Sequence, residues 1–353
     1  MNSRQRLSLP DIVAASPLEQ GVSRCYVGAY GFEERSLGWT ELQKPQGKVI
    51  ERAFIFRYGH VKGRNKIRDL RENLGDIGAG HVEDVHYDVW TPHDIEDLYD
   101  SHLIGELSRF DEIIVDITAM TKFLILVSLV KLGVLGKTLR IVYTEAENYA
   151  PTIDDFEKSK EMMSVLARFP NRGFGSIMRA RCLSSVRMQG QPVTVVAFTS
   201  FNEQLIRHML GTISPHRLIM INGRPPRPEF RWREHATQEI HKKLVEDFAS
   251  DNPVDKNGFL TNVTSSLDYR ETVNKIEAIY NQIGLHERIM VTATGSKMQT
   301  VGLFIAKALH SDIHIEYPTP DSYFIRGMSK GVRKVHEVLV NSPSELLSRN
   351  EKF

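Results

Sequence analysis

The order of apolar and polar positions in the first half of the chain alternates between two patterns. Short, continuous apolar runs rich in β-branched residues predict buried strands, and segments with apolar residues at helical spacing predict helices between them. Strands are expected at 24–30, 52–58, 82–89, 113–117 and 138–144, with helices at 65–74, 91–107 and 123–135 among their connections. Strands and helices that alternate with short connections predict a parallel, doubly wound sheet covered by helices.

The same succession returns in the second half, with strands expected at 193–198, 217–222, 259–267, 289–293 and 313–317. A longer insert, Gly223 to Arg233, carries prolines and arginines. Five elements that recur in one order predict an internal duplication with a pseudo-twofold axis. The expected fold is α/β, with two tandem Rossmann-like lobes, each a mainly parallel sheet with helices on both faces. The expected organisation is a leader at 1–21, lobe 1 at 22–150, a helical and arginine-rich connector at 151–190, lobe 2 at 191–340 and a tail at 341–353.

Composition narrows the class of protein. With 353 residues, 41% of them hydrophobic, the chain can form two domains, and a net charge of +1 gives no reason to expect general nucleic-acid binding. The only two cysteines, Cys25 and Cys182, exclude a disulfide scaffold and a cysteine-based zinc site. The first ten residues lack an apolar signal core, and the longest apolar run is shorter than the roughly 20 residues that cross a bilayer. We therefore expect a soluble, cytoplasmic protein with no membrane partner.

Small polar residues and a lysine follow the fourth strand of each lobe. Ligands of open α/β sheets bind beyond the carboxyl ends of the strands, near the point where the strand order reverses. Hydroxyl groups, a glycine and a lysine at a helix N-terminus suit an anionic or ribose-bearing ligand, and a nearby aromatic ring could stack on a base. The candidate ligand-binding residues are Gly31, Phe32, Glu33, Asp116, Thr118, Thr121 and Lys122 in lobe 1, and Ser200, Phe201, Asn202, Thr294, Gly295, Ser296, Lys297, Ser322 and Tyr323 in lobe 2.

Two short segments resemble a known family. Asp116-Ile117-Thr118-Ala119-Met120-Thr121-Lys122 and Thr294-Gly295-Ser296-Lys297-Met298 are similar to the Asp-hydrophobic-Thr-Gly-Gly-Thr-Lys signature of the CRISPR-associated Rossmann fold (CARF) sensor domains. The first segment departs from the signature at Ala119-Met120, and the second follows Thr292 where the family has an acid. Members of this family usually bind cyclic oligoadenylates across a twofold interface between two such lobes, and some slowly cleave the ring.

The resemblance implies that the tandem lobes form one composite nucleotide pocket within a single chain. It implies a CARF-like sensor or adaptor for a nucleotide second messenger of the cyclic oligonucleotide type, with a role in antiviral defence. We recognise no appended nuclease, helix-turn-helix or protease segment, so the effector is expected to be a separate partner protein. The chain could also form a homodimer. No cofactor is expected.

Two other functions stay open. The chain could be a ring-nuclease-like enzyme that cleaves a cyclic oligonucleotide without a metal, in which Lys297, Ser296 and Thr118 place the phosphodiester for in-line attack by a ribose hydroxyl. It could also be a structural subunit of a larger complex with a vestigial pocket. A metal site is not expected, because His241 does not share the helix face of His235 and Glu239.

Overall fold

Two large sheets, each flanked by helices, form a mixed α/β fold with two lobes. The computed structural model describes residues 9–59, 66–88, 91–161, 171–248, 251–323 and 329–341. The first strands are β1 (Ile12–Ala14), β2 (Arg24–Ala29), β3 (Arg52–Tyr58), β4 (His81–Tyr87), β5 (Glu112–Asp116) and β6 (Thr138–Thr144). The helices between them are α1 (Gly38–Gln43), α2 (Ile67–Asp76), α3 (Pro92–Leu98), which continues through a π-helical turn (Tyr99–Leu103) into α4 (Ile104–Leu107), and α5 (Lys122–Gly133).

Short elements connect the two lobes, and a second set of strands and helices follows. The connecting elements are β7 (Asn148–Tyr149), α6 (Ile153–Glu161), β8 (Asn171–Arg172) and β9 (Ser176–Met178). Lobe 2 contains the strands β10 (Val193–Phe198), β11 (Arg217–Arg224), β12 (Val263–Ser265), β13 (Arg288–Thr292) and β14 (His314–Thr319), and the helices α7 (Gln204–Ile213), α8 (Trp232–Asp247), α9 (Tyr269–Ile283) and α10 (Lys297–Leu309). The last strands are β15 (Ser322–Tyr323), β16 (Ser329–Lys330) and β17 (Val335–Val340).

The strand order reverses in the middle of each sheet. The first sheet has the order β1-β17-β6-β5-β2-β3-β4, and the second has β12-β11-β10-β13-β14-β9. Strand β2 pairs in parallel with both β3 and β5, and β10 pairs in parallel with both β11 and β13. The carboxyl ends of these central strands therefore border a switch point, which is where open α/β sheets bind ligands.

The lobes exchange edge strands. Strand β9, which follows lobe 1 in the chain, pairs antiparallel with β14 of lobe 2, and β17, which follows lobe 2, pairs antiparallel with β6 of lobe 1. Two short ribbons, β7 with β16 and β8 with β15, accompany this exchange. An ion pair between the half-buried Arg140 and the buried Glu337, 2.9 Å long, further joins β17 to β6. Lobe 1 is thus completed by a segment from beyond lobe 2, and lobe 2 by a segment of the connector.

One hydrophobic core runs through both lobes. Helix α5 packs against α10, and a single cluster of buried side chains includes residues of both sheets. Phe123 of α5 stacks on Tyr317 of β14 with 6.4 Å between the ring centroids. Helix α5 is apolar around nearly its whole circumference because it is buried on all sides, from Phe123 to Leu129 without interruption.

The observed arrangement confirms the predicted fold class, and the predicted domain boundaries stay a prediction. Three strand pairings join segments across those boundaries. Within the leader, β1 pairs with β17 in the first sheet. The connector supplies β9 to the second sheet, and residues 335–340, counted with lobe 2, form β17 of the first sheet. The cause is the open edges of β6 and β14, whose backbone groups need partners from another segment. Residues 1–8, 162–170 and 342–353 of the leader, connector and tail lie outside the described residues. The internal duplication stays a prediction.

Candidate functional site

Two loops lie at the boundary between the lobes, each following the strand beside the switch point of its sheet. One connects β5 to α5 and contains residues 117–121, and the other connects β13 to α10 and contains residues 293–296. The first residue of each following helix is a lysine that reaches into the loop of the other lobe. The Nζ atom of Lys122 donates a hydrogen bond to the carbonyl oxygen of Thr294 at 3.2 Å, and the Nζ atom of Lys297 donates to the carbonyl oxygen of Met120. The N-termini of α5 and α10, with the positive ends of their dipoles, therefore lie next to each other.

Both ammonium groups lie in surroundings that disfavour their positive charge. Burial lowers the pKa of Lys122 to about 8. Burial also lowers the pKa of Lys297 to about 7, an effect that the charge of Arg35 increases and that of Glu33 opposes. In the part of the chain that the structure describes, neither lysine forms an ion pair with a carboxylate. Cations that are desolvated and not neutralised favour the binding of an anion.

Hydroxyl groups cap both helices. Thr121 Oγ1 accepts a hydrogen bond from the backbone N–H of Leu124 at 3.2 Å. Ser296 Oγ accepts one from the backbone N–H of Gln299 at 3.0 Å and donates its own proton to the carbonyl oxygen of Ser266 at 2.7 Å. Ser and Thr are favoured at this position because they satisfy an N–H group that the helix leaves unpaired. The Ser296 hydroxyl is therefore occupied by structural hydrogen bonds.

The other polar residues that follow the fourth strands have internal partners. Asp116 is buried, and its carboxylate accepts hydrogen bonds from the Tyr26 hydroxyl and the Thr118 backbone N–H, each at 2.9 Å. Burial raises the pKa of Asp116, although these hydrogen bonds oppose the rise. Thr118 Oγ1 accepts from the backbone N–H of Thr144 at 3.0 Å, and Thr294 Oγ1 donates to the carbonyl oxygen of Phe198 at 2.7 Å. These side chains form the rigid base of the two loops.

The residues that follow the first strand of lobe 1 contact the loop at 117–121 and the segment that contains β16. A Cβ atom on the buried Gly31 would lie 2.9 Å from the Cβ atoms of both Ala119 and Ser36, so this close approach requires glycine. Phe32 is half-buried. Glu33 forms an ion pair of 2.8 Å with Arg35 and accepts a hydrogen bond from the Ser329 hydroxyl of the exchanged segment.

The corresponding residues of lobe 2 are uncharged. Ser200 Oγ accepts from the backbone N–H of Asn202 at 3.3 Å, and Asn202 Nδ2 donates to Asn171 Oδ1 and to the carbonyl oxygen of Gly173, each at 3.0 Å. Phe201 packs edge-on against Phe156, with 6.5 Å between centroids. Gly295 lies where a Cβ atom would be 3.0 Å from the Cβ atom of Phe198. The exposed Ser322 and its neighbour Tyr323 form β15, whose partner strand contains Asn171.

Sequence reasoning overlooked Arg35. This arginine is buried, and its Nη1 atom donates to the hydroxyl of Tyr143 and to the carbonyl oxygen of Thr144, each at 3.3 Å. The guanidinium carbon also lies 5.8 Å from the ring centroids of Tyr143 and Tyr149. The only signal was its place two residues after Glu33, in the loop that follows the first strand. Arg35 and Lys122 are the two cations whose charges further lower the pKa of Lys297.

The described residues contain no group of three or more His, Cys, Asp or Glu side chains that could hold a metal ion. Among these residues there is also no helix with both the length and the apolar character needed to cross a bilayer.

Comparisons with known proteins give distant likenesses. No protein-family model and no curated protein matches the chain. Among solved structures, the chain is similar to Can2 from Sulfobacillus thermosulfidooxidans in complex with cyclic tetra-adenylate, at 12% identity and a TM-score of 0.25, over 93% of this chain and 98% of that chain. It is also similar to a protein named as a universal stress protein from Pseudomonas aeruginosa UCBPP-PA14, at 10% identity and a TM-score of 0.23, over 86% of this chain and 95% of that chain. Likenesses at these TM-scores support no conclusion about function.

Proposed function

We propose that the protein binds a nucleotide second messenger of the cyclic oligonucleotide type between its lobes and acts as a sensor or adaptor for a separate effector protein. The observation that carries the proposal is the reciprocal lysine pair, Lys122 to Thr294 and Lys297 to Met120. Each lysine donates one hydrogen bond to a carbonyl oxygen and keeps two further N–H groups that can bind a phosphate. Two helix N-termini beside them also favour negative charge.

The geometry favours a ligand with more than one phosphate. The two ammonium groups belong to different lobes, and a ligand that contacts both gains two charge-assisted hydrogen bonds and two helix dipoles. A ring of nucleotides carries phosphates on several sides and matches such a pocket. The resemblance of the two loops to CARF sensor domains suggests cyclic oligoadenylates in particular. The proposed cytoplasmic location and role in antiviral defence rest on sequence reasoning alone.

The test is thermal unfolding of the purified protein with cyclic di-, tri-, tetra- and hexa-adenylate. A ligand at 100 times its dissociation constant should stabilise the fold by about 2.7 kcal/mol. Lys122→Met and Lys297→Met should each weaken binding roughly 10- to 150-fold, because a hydrogen bond to a charged group contributes about 1.5–3 kcal/mol. Lys242→Met is the matched control, since the Lys242 side chain is 70% exposed in another part of lobe 2. If the lysine variants bind as tightly as the wild type, the pocket does not lie between these loops.

A second candidate function is cleavage of the bound nucleotide. The observation in its favour is the pKa of Lys297, about 7, which suits a general acid or base near neutral pH. The hydroxyls of Thr118 and Ser296, by contrast, are held by backbone groups. Chromatography of the ligand after long incubation separates the two functions, because a sensor returns the ligand intact. Cleavage by the wild type that Lys297→Met abolishes at a ligand concentration high enough to saturate the variant would establish the enzyme.

A further inference from the structure

A cavity of about 200 Å³ lies next to the candidate site, between the insert that follows β11 and the segment that follows β6. Its lining includes Tyr143, Glu145 and Tyr149 from one side and Pro225, Phe230 and Leu267 from the other. Ser296, which directly precedes Lys297, also lines it. A cavity of about 150 Å³ in another protein holds one benzene molecule, so this volume suits a flat ring system such as a single nucleobase.

Two arginines of the insert line the cavity and donate hydrogen bonds to the segment that faces the insert. Arg227 Nη2 donates to the carbonyl oxygen of Glu147 at 2.7 Å, and Arg233 Nη1 donates to the carbonyl oxygen of Pro151 at 2.8 Å. The guanidinium carbon of Arg227 also lies 4.1 Å from the centroid of the Phe230 ring. Both arginines therefore tie the lobe 2 insert to the lobe 1 segment, and the walls of the cavity are held before any ligand enters.

The lining offers flat apolar surfaces. The rings of Phe230 and Tyr149 meet edge to face, with 5.7 Å between centroids. Aromatic rings next to a cavity of this size can stack on a base of any kind, so they provide affinity without selectivity. Selectivity needs a polar group at a fixed position on the wall.

Glu145 provides such a group. Its Oε2 atom is hydrogen-bonded to Nε2 of the buried His336 at 2.9 Å, and its Oε1 atom has no hydrogen-bond partner among the described residues. Burial opposes ionisation, but the hydrogen bond and charge of His336 together with the charges of Arg227 and Arg333 outweigh it and hold the pKa of Glu145 below its ordinary value. The carboxylate is therefore ionised at neutral pH and can only accept hydrogen bonds.

We propose that this cavity is a base subsite that selects a nucleobase with an exocyclic amino group, whose N–H donates to Glu145 Oε1. The subsite rests on the proposed function, because the base would belong to a nucleotide whose phosphate lies at Lys297. A base with a carbonyl in place of the amino group would direct an oxygen atom at the carboxylate. Neither the carbonyl oxygen of the base nor Glu145 Oε1 would then have a hydrogen-bond donor. Binding sites discriminate most strongly between two ligands when one of them leaves buried polar groups unpaired in this way.

The test compares AMP with IMP, which differ in carrying an amino group or a carbonyl at position 6 of the purine. Isothermal titration calorimetry with the wild type should give at least roughly 10-fold tighter binding of AMP, as expected for a hydrogen bond to a charged group. Glu145→Gln should bring the affinities for AMP and IMP close together, because the glutamine amide can accept a hydrogen bond from His336 and donate one to the carbonyl group of IMP. Glu246→Gln is the control, since it makes the same change at a side chain that is 62% exposed on α8 and that pairs with Lys242, outside the cavity lining. Phe230→Leu should weaken AMP and IMP alike.

Each outcome decides for or against the subsite. Equal binding of AMP and IMP by the wild type overturns it, and so does a preference that survives in Glu145→Gln. If Glu145→Gln does not fold, the Phe230→Leu result decides, because unchanged binding of both nucleotides overturns the subsite. Failure of both monophosphates to bind at millimolar concentration also overturns it. The proposed function is judged separately, by the cyclic adenylates and the Lys297→Met variant.

Discussion

The low pKa of Lys297 makes the stability of the free protein depend on pH. The pKa is about 7 in the folded protein and 10.5 for an ordinary lysine, so between these values the unfolded chain binds more protons than the folded one. Stability rises with pH wherever the unfolded state binds more protons. The stability that Lys297 contributes is therefore fully present above pH 10.5 and is lost as the pH falls towards 7.

The size of this effect follows from the two pKa values. A pKa difference of one unit corresponds to about 1.36 kcal/mol. Between pH 7 and pH 9, Lys297 goes from half protonated to almost fully deprotonated in the folded protein while it stays protonated in the unfolded chain, which adds roughly 2 kcal/mol of stability. Lys122, with a pKa of about 8, adds about 1 kcal/mol over the same interval. The Lys297→Met variant loses the first contribution and retains the second.

The assay is urea unfolding of the wild type and Lys297→Met at pH 7, 8 and 9. The unfolding free energy of the wild type should rise relative to that of the variant by about 2 kcal/mol from pH 7 to pH 9. Lys242→Met should follow the wild type at every pH, because its side chain is 70% exposed in the folded protein. A difference between wild type and Lys297→Met that does not change with pH would refute the reasoning. It would mean that Lys297 is well solvated in the folded protein and that its surroundings do not favour the binding of an anion.

Three further predictions concern the fold. Val115→Asp should prevent folding of lobe 1, because it places a charge in a fully buried strand. The control Val134→Asp should fold, because Val134 is 64% exposed. Circular dichroism distinguishes the two outcomes. Gly302→Ala should destabilise the protein in urea unfolding, since its Cβ atom would lie 2.8 Å from Thr272 Cβ; Gly75→Ala, with no atom within 4 Å, should stabilise it by roughly 0.5–1 kcal/mol. Removal of residues 335–353, which include β17, should abolish cooperative unfolding of lobe 1. Removal of residues 342–353 leaves β17 in place and should not abolish it. Cooperative unfolding of lobe 1 without β17 would contradict the strand exchange.

The central strands were predictable because their side chains are buried on both faces. The run Ile113 to Val115 is continuously apolar, and such a run has few alternatives to a strand in a parallel sheet. The loop between it and Lys122 was predictable as a helix start because Thr121 is a favoured N-cap residue. These are local properties of the sequence, and they were enough to predict the fold class.

The strand exchange and the partners of the site residues were not predictable in the same way. Strand β17 is apolar enough for either sheet, and nothing in its own sequence says that it pairs with β6. Thr118 was a candidate for contact with the ligand, but its hydroxyl accepts from the backbone N–H of Thr144, a residue 26 positions away. The cross-lobe contacts of Lys122 and Lys297 likewise depend on the packing of α5 against α10. Pairings between distant segments leave no periodic signal in a single sequence.

The exchanged strands also determine the order in which the protein can fold during synthesis. Domains usually fold as units as they leave the ribosome, with the N-terminal one first. Here Glu145 can form its hydrogen bond with His336 only after that residue, 191 positions later, has been synthesised. The edge of β6 likewise stays open until β17 has been synthesised. Lobe 1 is therefore translated first but completed last, and its exposed strand edge must be kept from other chains for the time that lobe 2 takes to emerge.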